Sequence, residues 1–242
     1  MGINRFDSYA PVAINSILAQ TLLEFEFIIV ANGANCHEVA QKVRQQFGFD
    51  SRLRVLETHI PQLAYALNLA VDNAAYEFIA RMDADDVSSP CRLERQLKFL
   101  LENNLDLVGC DVAIIDEGGA EVGRRITKKG RYIDKCLWYT NPFVHPTTLY
   151  RKAIFLSARG YNAGFNSEDY DLWLRLKRNG IAWDNIPDIL LSYRVHSAAS
   201  QRRLLGYAEV AGLFMREFLL NKNIKYMASI FIASIKALLF AR

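Results

Sequence analysis

Through the first half of the chain the spacing of hydrophobic positions alternates between a helical and an extended period. Tyr9 to Gln20 repeats at helical spacing, with Pro11 tolerated in the first turn because its missing N–H would be unpaired there anyway. Phe25-Glu26-Phe27-Ile28-Ile29-Val30 reads as a strand, ended by Ala31-Asn32-Gly33-Ala34. Glu38 to Phe47 is helical, Leu53 to Leu56 is a short strand and Leu63 to Ala74 is an amphipathic helix. Tyr76 to Met82 is a strand, and Cys91 to Asn103 is a helix. Such alternation predicts a parallel sheet covered by helices. Ligands on these sheets sit beyond the C-terminal strand ends. Ala31-Asn32-Gly33 and the acidic stretch Asp83-Ala84-Asp85-Asp86 both fall at such ends.

The second half changes character. Leu107 to Ile115 and Ala120 to Ile126 flank Asp116-Glu117-Gly118-Gly119 and read as a hairpin. Thr147 to Tyr150 adds a short strand. Asp169 to Arg178 is a helix, followed by strand-like Ile181-Ala182-Trp183 and Leu190 to Arg194, and the chain is helical from Gln201. No repeat or linker interrupts it, so one domain over residues 1–200 and a helical tail over residues 201–242 are expected.

Composition narrows the classes. A chain of 242 residues, 51% hydrophobic, fits a single well-filled α/β domain. A net charge of +3 is too small to argue for nucleic acid. Cys36, Cys91, Cys110 and Cys136 are far apart, with no C-x-x-C pair, and read as thiols of a reducing compartment. The first ten residues lack the apolar run of a secretory leader. The longest apolar run, Tyr226 to Phe240, is broken by Lys236 and falls short of the ~18 residues of a membrane span. The expected setting is therefore cytoplasmic.

Asp83, Asp85 and Asp86 follow an apolar strand and precede Pro90. Carboxylates alternating through a turn can face one cleft, and oxygen ligands suit a hard divalent cation such as Mn²⁺ or Mg²⁺. The spacing is not that of an EF-hand, because Val87 and Ser88 follow where a ligand and a glycine are required. Three carboxylates also exceed what capping the next helix needs.

With Arg81-Met82 before the cluster and Arg92-Leu93-Glu94 and Gln96 after it, the segment resembles the D-x-D region of family-2 inverting glycosyltransferases of the GT-A fold. The resemblance covers most of the chain. Ser16 to Thr21 and Phe25 to Val30 resemble the family's first helix and second strand, and Ala64 to Asn68 its segment before the D-x-D strand. His145-Pro146-Thr147 and Ser167-Glu168-Asp169-Tyr170-Asp171-Leu172-Trp173 resemble its later motifs. It implies a Rossmann-like, mostly parallel sheet flanked by helices. Asp83 would approach the donor ribose, Asp85 would hold the metal and Asp86 would support the loop. Two departures stand out. Only Met1-Gly2-Ile3 precede Asn4, where relatives carry a full apolar strand. Ala31-Asn32-Gly33-Ala34 replaces an Asp-rich turn, leaving the Asn32 amide to meet the nucleotide base.

Inverting transfer needs one base to take the proton of the acceptor hydroxyl. The resemblance makes that base Asp169, with Glu168 as an alternate or a contact to donor or acceptor. Asp169 also sits where a carboxylate caps its helix, and the two roles are compatible. His196, in Tyr193-Arg194-Val195-His196-Ser197, reads either as a metal ligand beside Asp85 or as a loop histidine. Arg194 reads as a diphosphate contact or a local partner. Arg81 joins the expected donor contacts. His145, between Pro142 and Pro146, reads as a turn residue or as part of the acceptor wall.

In the tail, Lys222, Lys225, Ser229 and Lys236 share one helical face, with Met227, Ile230, Phe231 and Leu238 roughly opposite. Such a helix suits an anionic membrane surface, this domain's own surface or another subunit. The expected activity is inverting transfer of a sugar from a nucleoside-diphosphate donor, UDP-linked, to a hydroxyl of a glycan or lipid-linked glycan in cell-surface polysaccharide or O-antigen assembly. A sugar nucleotidyltransferase would open with a Gly-rich phosphate loop, which is missing here. A non-catalytic sugar-nucleotide-binding module would have no use for Asp83, Asp85 and Asp169 together.

Overall fold

The computed structural model describes residues 1–162, 164, 166–196 and 203–239. Ser197, Gln201 at the expected helix start and Phe240 at the end of the apolar run lie outside the described residues. The fold opens with β1 (Gly2–Ile3), α1 (Tyr9–Leu18), β2 (Phe27–Asn32), α2 (Cys36–Phe47), β3 (Leu53–Thr58) and α3 (Leu63–Asp72). The three strands form a parallel sheet in the order β1-β2-β3. Every residue of β2 is buried, as a strand covered on both faces requires. Val39, Ala40, Val43 and Phe47 supply the apolar stripe of α2. Asp7 caps α1 by accepting the N–H groups of Tyr9 and Ala10.

Next come β4 (Phe78–Ala80), β5 (Val87–Ser88), α4 (Arg92–Glu102), β6 (Leu107–Ile115), β7 (Glu121–Arg125), α5 (Arg131–Cys136) and β8 (Leu149–Arg151). The chain continues through α6 (Lys152–Ser157), α7 (Glu168–Arg178), β9 (Trp183–Arg194), α8 (Arg203–Asn221) and α9 (Lys225–Leu239). A second, mixed sheet runs β4-β8-β6-β9-β5, with β7 also on β6. The α/β class with helices flanking a sheet is as expected, and so is the β6–β7 hairpin. One strand pairs differently. β4 follows the βα alternation but hydrogen-bonds antiparallel to β8. Phe27 and Ile28 of β2 and Phe78 and Ile79 of β4 instead line an apolar cavity of about 190 Å³. The Met1 amine is buried there and donates to the Ile28 carbonyl at 2.9 Å; burial pushes it down to about 5.

The two strand-like pieces after Gly180 are one strand. Pro187 interrupts the hydrophobic pattern because it cannot donate to the ladder, and the chain absorbs it as a bulge. Cys110 pairs with Ile186 and Asp111 with Ile189, so β9 passes over Pro187 and Asp188 and continues parallel to β6.

One apolar cluster joins the first sheet to α1, α2 and the middle of β6; a second gathers around the fully buried Trp173. The tail is tied to the second cluster by charge. Asp171 of α7, 4% exposed, accepts from Arg175 at 2.8 Å, from Asn162 at 2.7 Å and from Arg216 of α8. Glu217, 1% exposed, accepts from Arg178 and Arg216. The tail is two helices, broken at Lys222, whose φ is 54°. Among the described residues no helix is long and apolar enough to cross a membrane.

Candidate active site

The acidic turn is fixed by a set of buried polar side chains. Gln20 donates to Ser88 Oγ at 3.1 Å and to the Ser89 carbonyl at 2.7 Å, and its own carbonyl accepts the N–H of Leu93 at 3.0 Å. Arg92, fully buried, donates to the carbonyls of Arg81 at 3.1 Å and Pro146 at 2.7 Å. Burial pushes its guanidinium down to about 10. Gln96 donates to the Thr147 carbonyl at 2.7 Å. The start of α4 thus locks the turn to the segment at Pro146-Thr147.

Arg81 is the first of two arginines that hold the turn. It lies 4% exposed behind the turn and pairs with Asp83 at 2.6 Å. Burial alone would lower its pKa, but the charges of Asp83, Tyr161 and Glu168 and the hydrogen bond to Asp83 together outweigh this and keep it cationic. It anchors Asp83 from the buried side. The second is Arg194, at the end of β9. Its guanidinium donates to the carbonyls of Asp85 at 2.8 Å, Asp116 at 2.7 Å and Glu117 at 3.1 Å, and lies over the Tyr9 ring. Those bonds make Arg194 a local clamp on the acidic turn and the hairpin, the second of the two readings of this residue. Asp86, 1% exposed, accepts the Arg194 N–H at 2.8 Å and ties the turn to β9. Burial, reinforced by Asp83, raises its pKa well above the usual carboxylate range.

These bonds bring together two side chains that the sequence separates by 111 positions. His196 Nε2 lies 2.8 Å from Asp85 Oδ2. Asp85 lines a cleft together with Asp83 and Asn32, and His196 stands beside it through this contact. The cleft measures about 930 Å³ and lies at the C-terminal ends of β1 and β2, as the switch-point rule requires. Gly2 to Arg5, Ile60 to Ala64, Asn166, Glu168 and Glu209 complete much of its wall.

The carboxylate pair divides. Glu168 faces the cleft; burial first, and the neighbouring Asp169 charge second, push it up to about 7. Asp169 turns the other way, accepting from Asn141 Nδ2 at 2.6 Å and from the Tyr170 N–H at 2.7 Å. Burial raises its pKa as well. His145 lies apart from the cleft, bonded through Nε2 to the Tyr161 hydroxyl at 2.7 Å and edge-on to Trp173. Burial drives its pKa well down, so it is neutral and serves the wall as a structural residue. Asn141 and Glu209 were missed by sequence reading. Asn141 lies in the segment read for His145 and the prolines beside it. Glu209, in the tail, accepts from Ser167 Oγ at 2.7 Å and the Asn166 N–H at 3.0 Å, holding the loop before α7.

Among the described residues no cluster of three or more His, Cys, Asp or Glu side chains is preassembled. A Mn²⁺ or Mg²⁺ ion fits Asp85 and His196 nonetheless, since a carboxylate oxygen and an imidazole nitrogen are both suitable ligands and phosphate oxygens can supply the rest.

An α/β sheet with a large polar cleft at its strand ends, carboxylates on both walls and an Asp–His pair beside it defines a transferase handling a phosphorylated donor. The chain belongs to glycosyl transferase family 2, whose model matches residues 3–158. It is similar to the O-antigen biosynthesis glycosyltransferase WbnJ of Escherichia coli, with 42% identity over 99% of this chain and 95% of that protein. In fold it resembles the mannosyltransferase PcManGT of Pyrobaculum calidifontis in complex with GDP-Man and Mn²⁺, with a TM-score of 0.70 and 15% identity, covering 99% of this chain and 72% of that one. It also resembles TarS 1–349 of S. aureus in complex with UDP-GlcNAc, with a TM-score of 0.66 and 16% identity, covering 88% and 65%. The fold is that of GT-A glycosyltransferases, and the protein is a glycosyltransferase.

Proposed function

We propose that the chain moves a sugar from a UDP-linked donor to a hydroxyl of a glycan or lipid-linked glycan, with inversion, during O-antigen or related polysaccharide assembly at the cytoplasmic face of the inner membrane. The observation that carries this reading is the Asp85–His196 contact beside a cleft whose far wall bears Glu168. The likeness to an O-antigen transferase supports the pathway class, and the likeness to a UDP-GlcNAc-bound fold supports the donor class.

In this reading Asn32 offers its amide to the nucleotide base and Asp83 meets the ribose. Asp85 and His196 hold a divalent ion, which when bound neutralises the diphosphate and makes it a better leaving group. Glu168 faces the donor side and holds a sugar hydroxyl. Asp169, on the acceptor side with Asn141, takes the acceptor proton; its raised pKa makes it the stronger base. His145 and Asp86 support the two walls without touching the reactants.

Calorimetry with UDP-sugars and Mn²⁺, paired with a transfer assay, tests the assignment. Asp85→Ala should abolish metal-dependent donor binding. Asp169→Asn should bind donor within about threefold of wild type and lose at least about 10²-fold in transfer, the lower range for a general base. Unchanged donor affinity in Asp85→Ala, or full transfer in Asp169→Asn, would remove the corresponding role.

A further inference from the structure

The last helix is packed the wrong way round for a soluble protein. The residues of α9 that face α8 are Tyr226, Ser229, Ala233 and Ala237, mostly small, and Ser229 is fully buried. The large apolar residues point outward: Met227 is 41% exposed, Phe231 70%, Ile235 41% and Leu238 75%, with Ile224 just ahead of the helix at 74%. At 3.6 residues per turn these positions fall within about 80° of one another. They form one continuous stripe along a helix of 15 residues.

Charge along the tail is equally one-sided. From Phe218 to Arg242 there is no Asp or Glu, while Lys222, Lys225, Lys236 and Arg242 are present. Lys225 and Lys236 both lie on one side of the stripe, about 125–145° around the helix from its centre, where a lysine can lay its stem along an apolar surface and raise its ammonium to a phosphate plane. A second protein surface would call for carboxylates or a ring of mixed charge around the stripe. An all-cationic flank on an apolar stripe matches an anionic lipid surface.

We propose that α9 is the membrane-docking element of this chain, lying in the plane of an anionic phospholipid bilayer with Met227, Phe231, Ile235 and Leu238 among the acyl chains and the flanking lysines at the headgroups. This deepens the lipid-linked acceptor reading and rests on it for its purpose. The attachment itself is read independently of transfer.

The test is flotation of the full chain with vesicles of phosphatidylcholine alone or with about 30% phosphatidylglycerol, free of any glycan. Binding should be at least about tenfold stronger to the anionic vesicles and weaken at high salt, as surface electrostatics requires. Phe231→Glu, an exposed position, should lose at least about tenfold in binding while keeping wild-type melting and wild-type transfer to a water-soluble acceptor. Lys225→Gln/Lys236→Gln should lose anionic selectivity. Equal binding to both vesicle types, or full binding by Phe231→Glu, would overturn the proposal. So would a stable dimer in sedimentation that Phe231→Glu dissociates, together with no vesicle binding, because the stripe would then belong to a second copy. Vesicle binding without transfer activity would count against the acceptor reading and leave the docking element standing.

Discussion

Glu168→Gln should make the protein more stable at neutral and alkaline pH and do so by an amount that vanishes in acid. Burial and the nearby Asp169 charge raise Glu168 from 4.5 to about 7. In acid the carboxyl is protonated in both folded and unfolded chains, so it has no effect on stability. Between about 4.5 and 7 the unfolded chain ionises first, and the folded state loses stability as pH rises. Above 7 both states are ionised and the penalty is complete. A shift of 7 − 4.5 = 2.5 corresponds to about 3.4 kcal/mol, and the group's partial exposure reduces that to about 2–3 kcal/mol. For a chain of this size that is about 5–10 °C in Tm.

The assay is thermal or urea unfolding of wild type and Glu168→Gln in chelator without donor, at pH 5 and pH 8. The difference between the two proteins at each pH isolates this one group from all other titrations. The variant should gain little at pH 5 and the full amount at pH 8, while its affinity for the sugar donor falls. A gain of the same size at both pH values would show that the effect is packing, not charge. A loss of stability at pH 8 would show that the carboxylate is solvated or paired, and the electrostatic account of the cleft would fail.

Other substitutions probe how the cleft is held. Arg92→Met should cost about 3 kcal/mol by urea unfolding, because it leaves the carbonyls of Arg81 and Pro146 buried and unpaired. Asp86→Asn keeps an oxygen for the Arg194 N–H and should retain transfer within about threefold, whereas Asp86→Ala should cost about 1–3 kcal/mol in unfolding experiments. Glu209→Ala should loosen the loop at Asn166-Ser167, raising the donor KM in steady-state assays with a smaller change in kcat.

Sequence pattern was most informative where an element is long and covered evenly. The near-continuous apolar runs of β2 and β6 and the period-3.6 runs of α2 and α4 are each sustained over six residues or more, so their positions were legible. Helices α5 and α6 are six residues each, too short for a helical period to appear. β9 was hidden by Pro187, which breaks the hydrophobic pattern without breaking the strand. At the site, Asp83, Asp85, Glu168 and His196 were recognisable because they fall in ordered motifs that resemble those of the family. Arg81 and Arg194 sit beside the acidic cluster and look like ligand contacts, and only tertiary packing shows that Arg81 pairs with Asp83 and that Arg194 bonds three carbonyls.

That distinction explains how a short acidic turn can present one carboxylate and hide another. Arg194 is bonded to the turn twice, through its backbone N–H to Asp86 and through its side chain to the Asp85 carbonyl, and its chain continues two residues to His196. Asp86 is pulled inward by the first bond, and Asp85 is left with its carboxylate outward by the second. His196 can then meet only Asp85. The same guanidinium reaches the Asp116 and Glu117 carbonyls in the β6–β7 hairpin, so the turn, β9 and the hairpin move as one body. A lysine at position 194 could supply the charge but not the fixed fork, because one ammonium cannot hold three carbonyls in a set plane. The position of the Asp85–His196 pair is therefore set by hydrogen-bond geometry around Arg194 and not by attraction between the pair itself. This is why the two side chains meet at 2.8 Å across 111 residues of sequence.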